Sequence, residues 1–175
     1  MGQIPGNFLK YISQLSVKNS YKLWPELKFC FILNQRGWHI SMYNEAQKYF
    51  DSLLNNPKTT IALVGATNDR TKYGNIILKN LTAKNFEVYP INPKASAIDG
   101  IPAYPDLTKL PQKPDIVNFL VPAKLGLNVL KRAIEMNLDN FWFQPGAESE
   151  EIISVLRESG KHYLADGSCI MVMAH

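Results

Sequence analysis

At 175 residues, 46% hydrophobic and 19% charged, the chain is long enough for one well-filled core and little more, since domains usually run to about 100–200 residues. No apolar run approaches the roughly 18 residues of a membrane span, so the sequence speaks for a soluble protein without a membrane partner. The formal charge of +4 lies wholly in residues 1–41, where Lys10, Lys18, Lys22, Lys28 and Arg36 outnumber Glu26. The rest is formally neutral, which argues against a nucleic-acid partner, because a phosphate-tracking surface needs cations spread over the folded face.

Residues 1–41 show no sustained helix or strand period and read as an appendage, with Met42 as a possible initiator. On that reading the leader is untranslated or disordered; a helical arm and a weak organelle-targeting peptide are the alternatives. It lacks a secretory signal, and Cys30 and Cys169 are too few for a disulfide scaffold or a structural zinc site. A reducing, cytoplasmic compartment is expected.

Regular patterning begins at Tyr43. Ala46, Tyr49, Phe50, Leu53 and Leu54 recur at helical spacing and predict a helix over 43–54, stopped by Asn55-Asn56-Pro57. Thr60 to Val64 is a continuous apolar run ending at Gly65, the pattern of a strand buried on both faces. A helix is predicted over 74–84 and a strand over 86–91, ended by Asn92-Pro93. Residues 98–110 are rich in turn formers and offer only a short strand near 101–104. A strand over 115–121, a helix over 123–136, a strand over 140–143, a helix over 149–159 and a strand over 162–165 complete the chain. Strands alternating with helices of this length predict an α/β, Rossmann-like doubly wound fold, its mainly parallel sheet covered on both faces over residues 42–175.

In such a sheet ligands lie outside the carboxyl ends of the strands. The first candidate is Gly65-Ala66-Thr67-Asn68, leading through Lys72 and Gly74 into a helix: glycine lets backbone approach a phosphate, and free amides at a helix start suit an anion. A branched side chain at Gly65 is expected to occupy the phosphate approach. As a glycine fingerprint the segment is incomplete, lacking the second and third glycines of the dinucleotide motif. The second candidate is Asn92-Pro93-Lys94. NAD-binding domains carry an acid there for the ribose hydroxyls, whereas an amide followed by a cation invites a ribose phosphate, which favours coenzyme A or NADP over NAD.

Together, Gly65-Ala66-Thr67 with Lys72 and Gly74, Tyr89-Pro90-Ile91-Asn92-Pro93, Val121-Pro122, Gln144-Pro145-Gly146-Ala147-Glu148 and Cys169-Ile170-Met171 resemble the small single-domain CoA-binding proteins, which are similar to the N-terminal CoA-binding domain of the succinyl-CoA synthetase α subunit. The resemblance spans residues 43–175. It implies that Gly65 to Asn68 cradle phosphate, that Asn92 to Lys94 hold the ribose-phosphate end, and that Val121-Pro122 wall the adenine or pantetheine path. Gln144, Pro145, Gly146, Cys169 and Ile170 would line the far side. In the synthetase the phosphate-carrying histidine lies in a further domain, so His175 is not equated with it and is expected to be exposed. His39 and His162 fall in no triad or metal spacing.

The sequence therefore points to binding of coenzyme A or an acyl-CoA without catalysis. An NADP-dependent oxidoreductase-type domain and the CoA-binding subunit of a split acyl-CoA synthetase are the alternatives, and no protein partner is specified.

Overall fold

The computed structural model describes residues 30–34, 37–41 and 45–175. It divides into two compact units, Met1–Glu45 and Ala46–His175. In the first, β1 (Cys30–Asn34) and β2 (Gly37–Ser41) pair antiparallel, Cys30 opposite Ser41 and Asn34 opposite Gly37. So residues 1–41, which show no sustained strand period, nonetheless include this strand pair. The two runs are too short to show a period, yet each is rich in the aromatic and β-branched residues that favour strands. The other readings of the leader lie outside the described residues.

The second unit opens with α1 (Glu45–Leu54) and β3 (Thr60–Val64). All five β3 residues are buried, as a continuous apolar run requires. Next come α2 (Tyr73–Ala83), β4 (Glu87–Ile91), and a small antiparallel pair, β5 (Ala97–Ile98) and β6 (Ile101–Pro102). Then follow β7 (Ile116–Phe119), α3 (Ala123–Glu135), β8 (Asn140–Phe143), α4 (Glu150–Ser159), β9 (His162–Leu164) and the short α5 (Ile170–Met173). Strands β3, β4, β7, β8 and β9 form a parallel sheet in the order β4-β3-β7-β8-β9. The fold is Rossmann-like. Strand order reverses between β3 and β7, which makes their carboxyl ends the topological switch point where doubly wound sheets receive ligands.

Alternating strand residues feed two cores. Ile61 and Leu63 pack with Phe50, Leu54, Ile77 and Leu81 of α1 and α2, whereas Ala62 and Val64 pack with Leu127, Leu130, Ile152 and Leu156 of α3 and α4. Each helix so buries one apolar stripe against one face.

Two differences from the sequence reading have local causes. The strand expected over 115–121 is shorter, Ile116–Phe119; just before it the Asp115 carboxylate accepts from Thr60 N (2.8 Å) and Thr60 Oγ1 (2.9 Å), and just after it Pro122 caps the next helix. The stretch expected to hold one short strand instead forms the β5–β6 hairpin, with Asp99 (φ 46) and Gly100 (φ 82) at its tip. Positive φ at both central residues is what an Asp-Gly hairpin turn demands. Tyr104 then bridges in parallel to Ile91.

Candidate functional site

The chain leaves β3 at Gly65 with φ +102, a conformation that L side chains rarely adopt. A Cβ there would lie 2.9 Å from Val121 Cγ1 and 3.3 Å from the Leu120 carbonyl carbon. Bulk at Gly65 therefore presses on the end of β7, beside Val121. Gly74, in the first turn of α2, is needed for a different reason. A Cβ on it would overlap the Gly65 carbonyl oxygen, so this glycine lets the helix start lie directly on the strand end. That is the work of the third glycine in the dinucleotide fingerprint, supplied here from a more distant sequence position.

Between the glycines the loop is wound by short polar bonds. Thr67 Oγ1 accepts from Asp69 N (3.2 Å), and Asp69 Oδ1 accepts from Thr71 N (3.0 Å) and Thr71 Oγ1 (2.7 Å). These bonds from Thr71, with the charge of Lys72, hold the Asp69 carboxyl below its usual value. Lys72 lies 3.7 Å from Asp69 and is the N-cap of α2, in extended conformation with no side-chain cap bond and no acid in the first turn. The positive end of that helix is thus completed by no side chain of its own first turn.

The loop after β4 is fastened to the same place. Asn92 Nδ2 donates to Ala66 O (2.8 Å), and Asn92 Oδ1 accepts from Lys94 N (2.8 Å). Asn68 bridges onward: its Nδ2 donates to Ala97 O and its Oδ1 accepts from Asp99 N, both at 3.0 Å. Buried Asn75 donates to Thr67 O (2.9 Å) and to Asp99 Oδ2 (2.7 Å). Asn92 and Asn68 thus use their side chains to set the loops, while Pro93 and Lys94 stand exposed. Tyr89 belongs to the strand body. Its hydroxyl, between Glu87 (2.6 Å) and Gln112 (2.7 Å), is pushed up to about 12 by burial and then by Glu87.

Across the switch point, Val121 is half-buried and Pro122 is the N-cap of α3, which also has no side-chain cap bond and no acid in its first turn. The end of β8 differs. Gln144 is buried, its amide 2.8 Å from that of Asn118. With its carboxamide turned so that the oxygen faces donors, it accepts from Ile170 N (3.3 Å) and Trp142 Nε1 (3.1 Å). Gly146 N donates to Glu148 Oε2 (2.9 Å), and Pro145 is exposed. Ile170 is fully buried, and Cys169 is half-buried as the N-cap of α5. Lys84 pins this C-terminal turn by donating to Met171 O (2.8 Å) and Ala174 O (2.7 Å).

The opposite rim carries an open concavity of about 410 Å³ lined by Tyr49, Asp139, Gly160, Lys161 and His162. Its polar groups are spent on one another: Lys161 donates to Asp139 at 2.6 Å and Tyr49 stacks on His162 at 4.1 Å. It offers no helix start comparable to those at Lys72 and Pro122. His175 is exposed, 3.6 Å from Asp51. Among the described residues, no group of three or more His, Cys, Asp or Glu is placed to hold a metal ion, and no helix is long and apolar enough to cross a membrane.

The profile of a family described as CoA binding domain matches residues 59–175. The chain belongs to that family. The match covers the ends of β3, β4, β7, β8 and β9. An ADP-forming acetate–CoA ligase of Archaeoglobus fulgidus is 43% identical over 65 residues, 37% of this chain but 10% of the ligase. The chain thus matches only a small part of that relative. An uncharacterised protein of Bacillus subtilis is 27% identical over 75% of this chain and 96% of its own length. A solved conserved hypothetical protein of Pyrococcus furiosus superposes with a TM-score of 0.63 at 50% identity, over 65% of this chain and 97% of that one.

Within this CoA-binding domain, Gly65, Ala66, Thr67, Asn68, Lys72, Asn92, Pro93, Lys94, Val121 and Pro122 fall on the loops that follow β3, β4 and β7, and Gly74 lies in the first turn of α2. Gln144, Pro145 and Gly146 follow the end of β8, while Cys169 and Ile170 begin the short α5. Sequence reasoning did not single out Asn75 and Asp99, which tie these loops together. Asp99 carried a signal, the Asp-Gly turn; Asn75 carried none.

Proposed function

We propose that this chain binds coenzyme A, or an acyl-CoA, across the carboxyl edge of its sheet, as a stand-alone domain that performs no chemistry on it. One observation carries the reading. On both sides of the switch point, at Lys72 and at Pro122, a helix starts with neither a side-chain cap nor an acidic first turn, and the glycine that leads to the first of them turns the chain out of β3 at φ +102. Two such helix starts suit a ligand with several phosphates. Gly65 to Asn68 and Lys72 hold the diphosphate, and exposed Lys94 answers the ribose 3′-phosphate. Val121 and Pro122 wall the path of the rest. The family match supports coenzyme A over NADP, and the Bacillus subtilis relative, matched over nearly its whole length, supports a domain that works alone. The free Cys169 thiol suits the reducing cytoplasm.

Isothermal titration tests this. Saturable binding of coenzyme A is expected, tighter than that of dephospho-CoA or NADP in competition. No heat at millimolar coenzyme A overturns it. The ligase match favours one second reading, that the chain supplies the CoA-binding part of a split acyl-CoA synthetase. Co-purification with an ATP-using partner would support that reading, and isolation as a single species without one would speak against it.

A further inference from the structure

Asp99, at the tip of the β5–β6 hairpin, faces three partners. Its Oδ2 accepts from buried Asn75 at 2.7 Å and lies 3.4 Å from Lys79 Nζ, while its Oδ1 faces Arg70 at 3.7 Å. The Asp99 side chain is 19% exposed, Lys79 50% and Arg70 76%. The three partners are not equivalent. Asn75 and Lys79 project from α2 and share one oxygen, so they keep the carboxylate satisfied by themselves. Arg70 holds the other oxygen alone, at the longest distance and from the most exposed position. It is the partner that can leave without orphaning a buried group.

Arg70 also stands where departure is useful. It lies in the loop between Gly65 and the open start of α2, beside Lys72, and Asn68 ties that loop to the Asp99 backbone. A guanidinium presents a planar fork of donors that matches a phosphate in two-point contact, which a lysine does not. Resting on the supported reading of this edge as a nucleotide site, we propose that Arg70 is a further phosphate-binding residue, kept in place by Asp99, which positions it in the empty site and restrains the grip by competing for it. Binding exchanges the Asp99–Arg70 pair for a phosphate–Arg70 pair, with Asn75 and Lys79 retaining Asp99.

The test is a double-mutant cycle on the full chain, with coenzyme A as the probe and a thermal melt on each variant as the check of folding. Arg70→Gln removes an exposed cation, and coenzyme A affinity is expected to fall about tenfold, with a shallower dependence on salt. Asp99→Asn keeps an oxygen for Asn75 but drops the competing charge, so affinity is expected to rise about twofold to threefold. In the Arg70→Gln background most of that gain disappears. Asp99→Ala, which also cuts the Asn75 bond, lowers both affinity and melting temperature. Wild-type affinity in Arg70→Gln overturns the assignment, as does an Asp99→Asn gain that persists without Arg70, or a loss in Asp99→Asn equal to that in Asp99→Ala. If the wild-type chain itself takes up no coenzyme A, it is the nucleotide site that fails, and this assignment falls with it.

Discussion

The helices after β3 and β7 start at Lys72 and Pro122, with no side-chain cap and no acid in the first turn. The helix after β8, at the same edge of the same sheet, starts with Ser149, whose hydroxyl accepts from Ile152 N at 3.3 Å, and carries Glu150 and Glu151 in its first turn. A cap contributes about 1 kcal/mol, and an acid at the positive end adds about 0.3–1 kcal/mol. That stabilisation is present in α4 and missing in α2 and α3. Where the chain completes its own helix an anion has little to gain; where it leaves the amides open, a phosphate can supply what is missing. The glycine loop and the cations Arg70, Lys72 and Lys94 gather on the open side.

The largest effect is expected where the open side is built most tightly. Gly→Ala inside a helix usually stabilises by about 1 kcal/mol, but at Gly74 the added Cβ overlaps the Gly65 carbonyl. The sign should reverse. Overpacking against backbone costs about 3 kcal/mol, so Gly74→Ala is expected to lower the melting temperature by on the order of 10 °C and to weaken coenzyme A, because the helix start is pushed off the strand end. A circular-dichroism melt decides it, and an unchanged or higher melting temperature would show that α2 does not depend on this approach.

Lys72→Ser attacks the contrast from the other side by giving α2 the cap that α4 has. Lys72 already holds the extended conformation of an N-cap (φ −95, ψ 146), so the serine should raise stability by about 0.5–1 kcal/mol. Coenzyme A affinity should fall about tenfold, since a charged donor is lost and the new hydroxyl competes for the amides. The measurement is a melt and a titration on one sample. A more stable protein with undiminished affinity would detach the helix start from ligand binding.

How much of this could be read from the chain depends on which residues carried it. Thr60–Val64 and Asn140–Phe143 were legible to the residue, since apolar runs closed by Gly65 and by Gln144-Pro145-Gly146 leave strand as the simplest solution. Strand ends as ligand loops followed from topology. The β5–β6 pair did not, because two-residue strands have no period, although Asp99-Gly100 was a readable turn. Gly74 reads as a candidate site residue from the sequence but not as the fingerprint's third glycine, since a longer loop separates it from Gly65 and only proximity in space reveals the equivalence. Asn68 and Asn92 show a further limit. Their identity suits a ligand and a loop tie equally, and only the partners at Ala66, Ala97 and Asp99 distinguish the two.

The smallest effect expected at this edge lies on the closed side, at Ser149. Ser149→Ala removes the hydroxyl that receives Ile152 N and leaves Glu150 and Glu151 in place, so about 1 kcal/mol is lost and the melting temperature falls by about 3–5 °C. Affinity for coenzyme A should stay within about twofold, because that helix start is completed by the protein's own groups and the Gly146 amide is already held by Glu148. The same titration that detects the tenfold loss in Lys72→Ser measures it. If Ser149→Ala instead weakens coenzyme A as much as it weakens the fold, the loop from Gln144 to Ser149 touches the ligand, and the open side of the edge extends past β7 to β8.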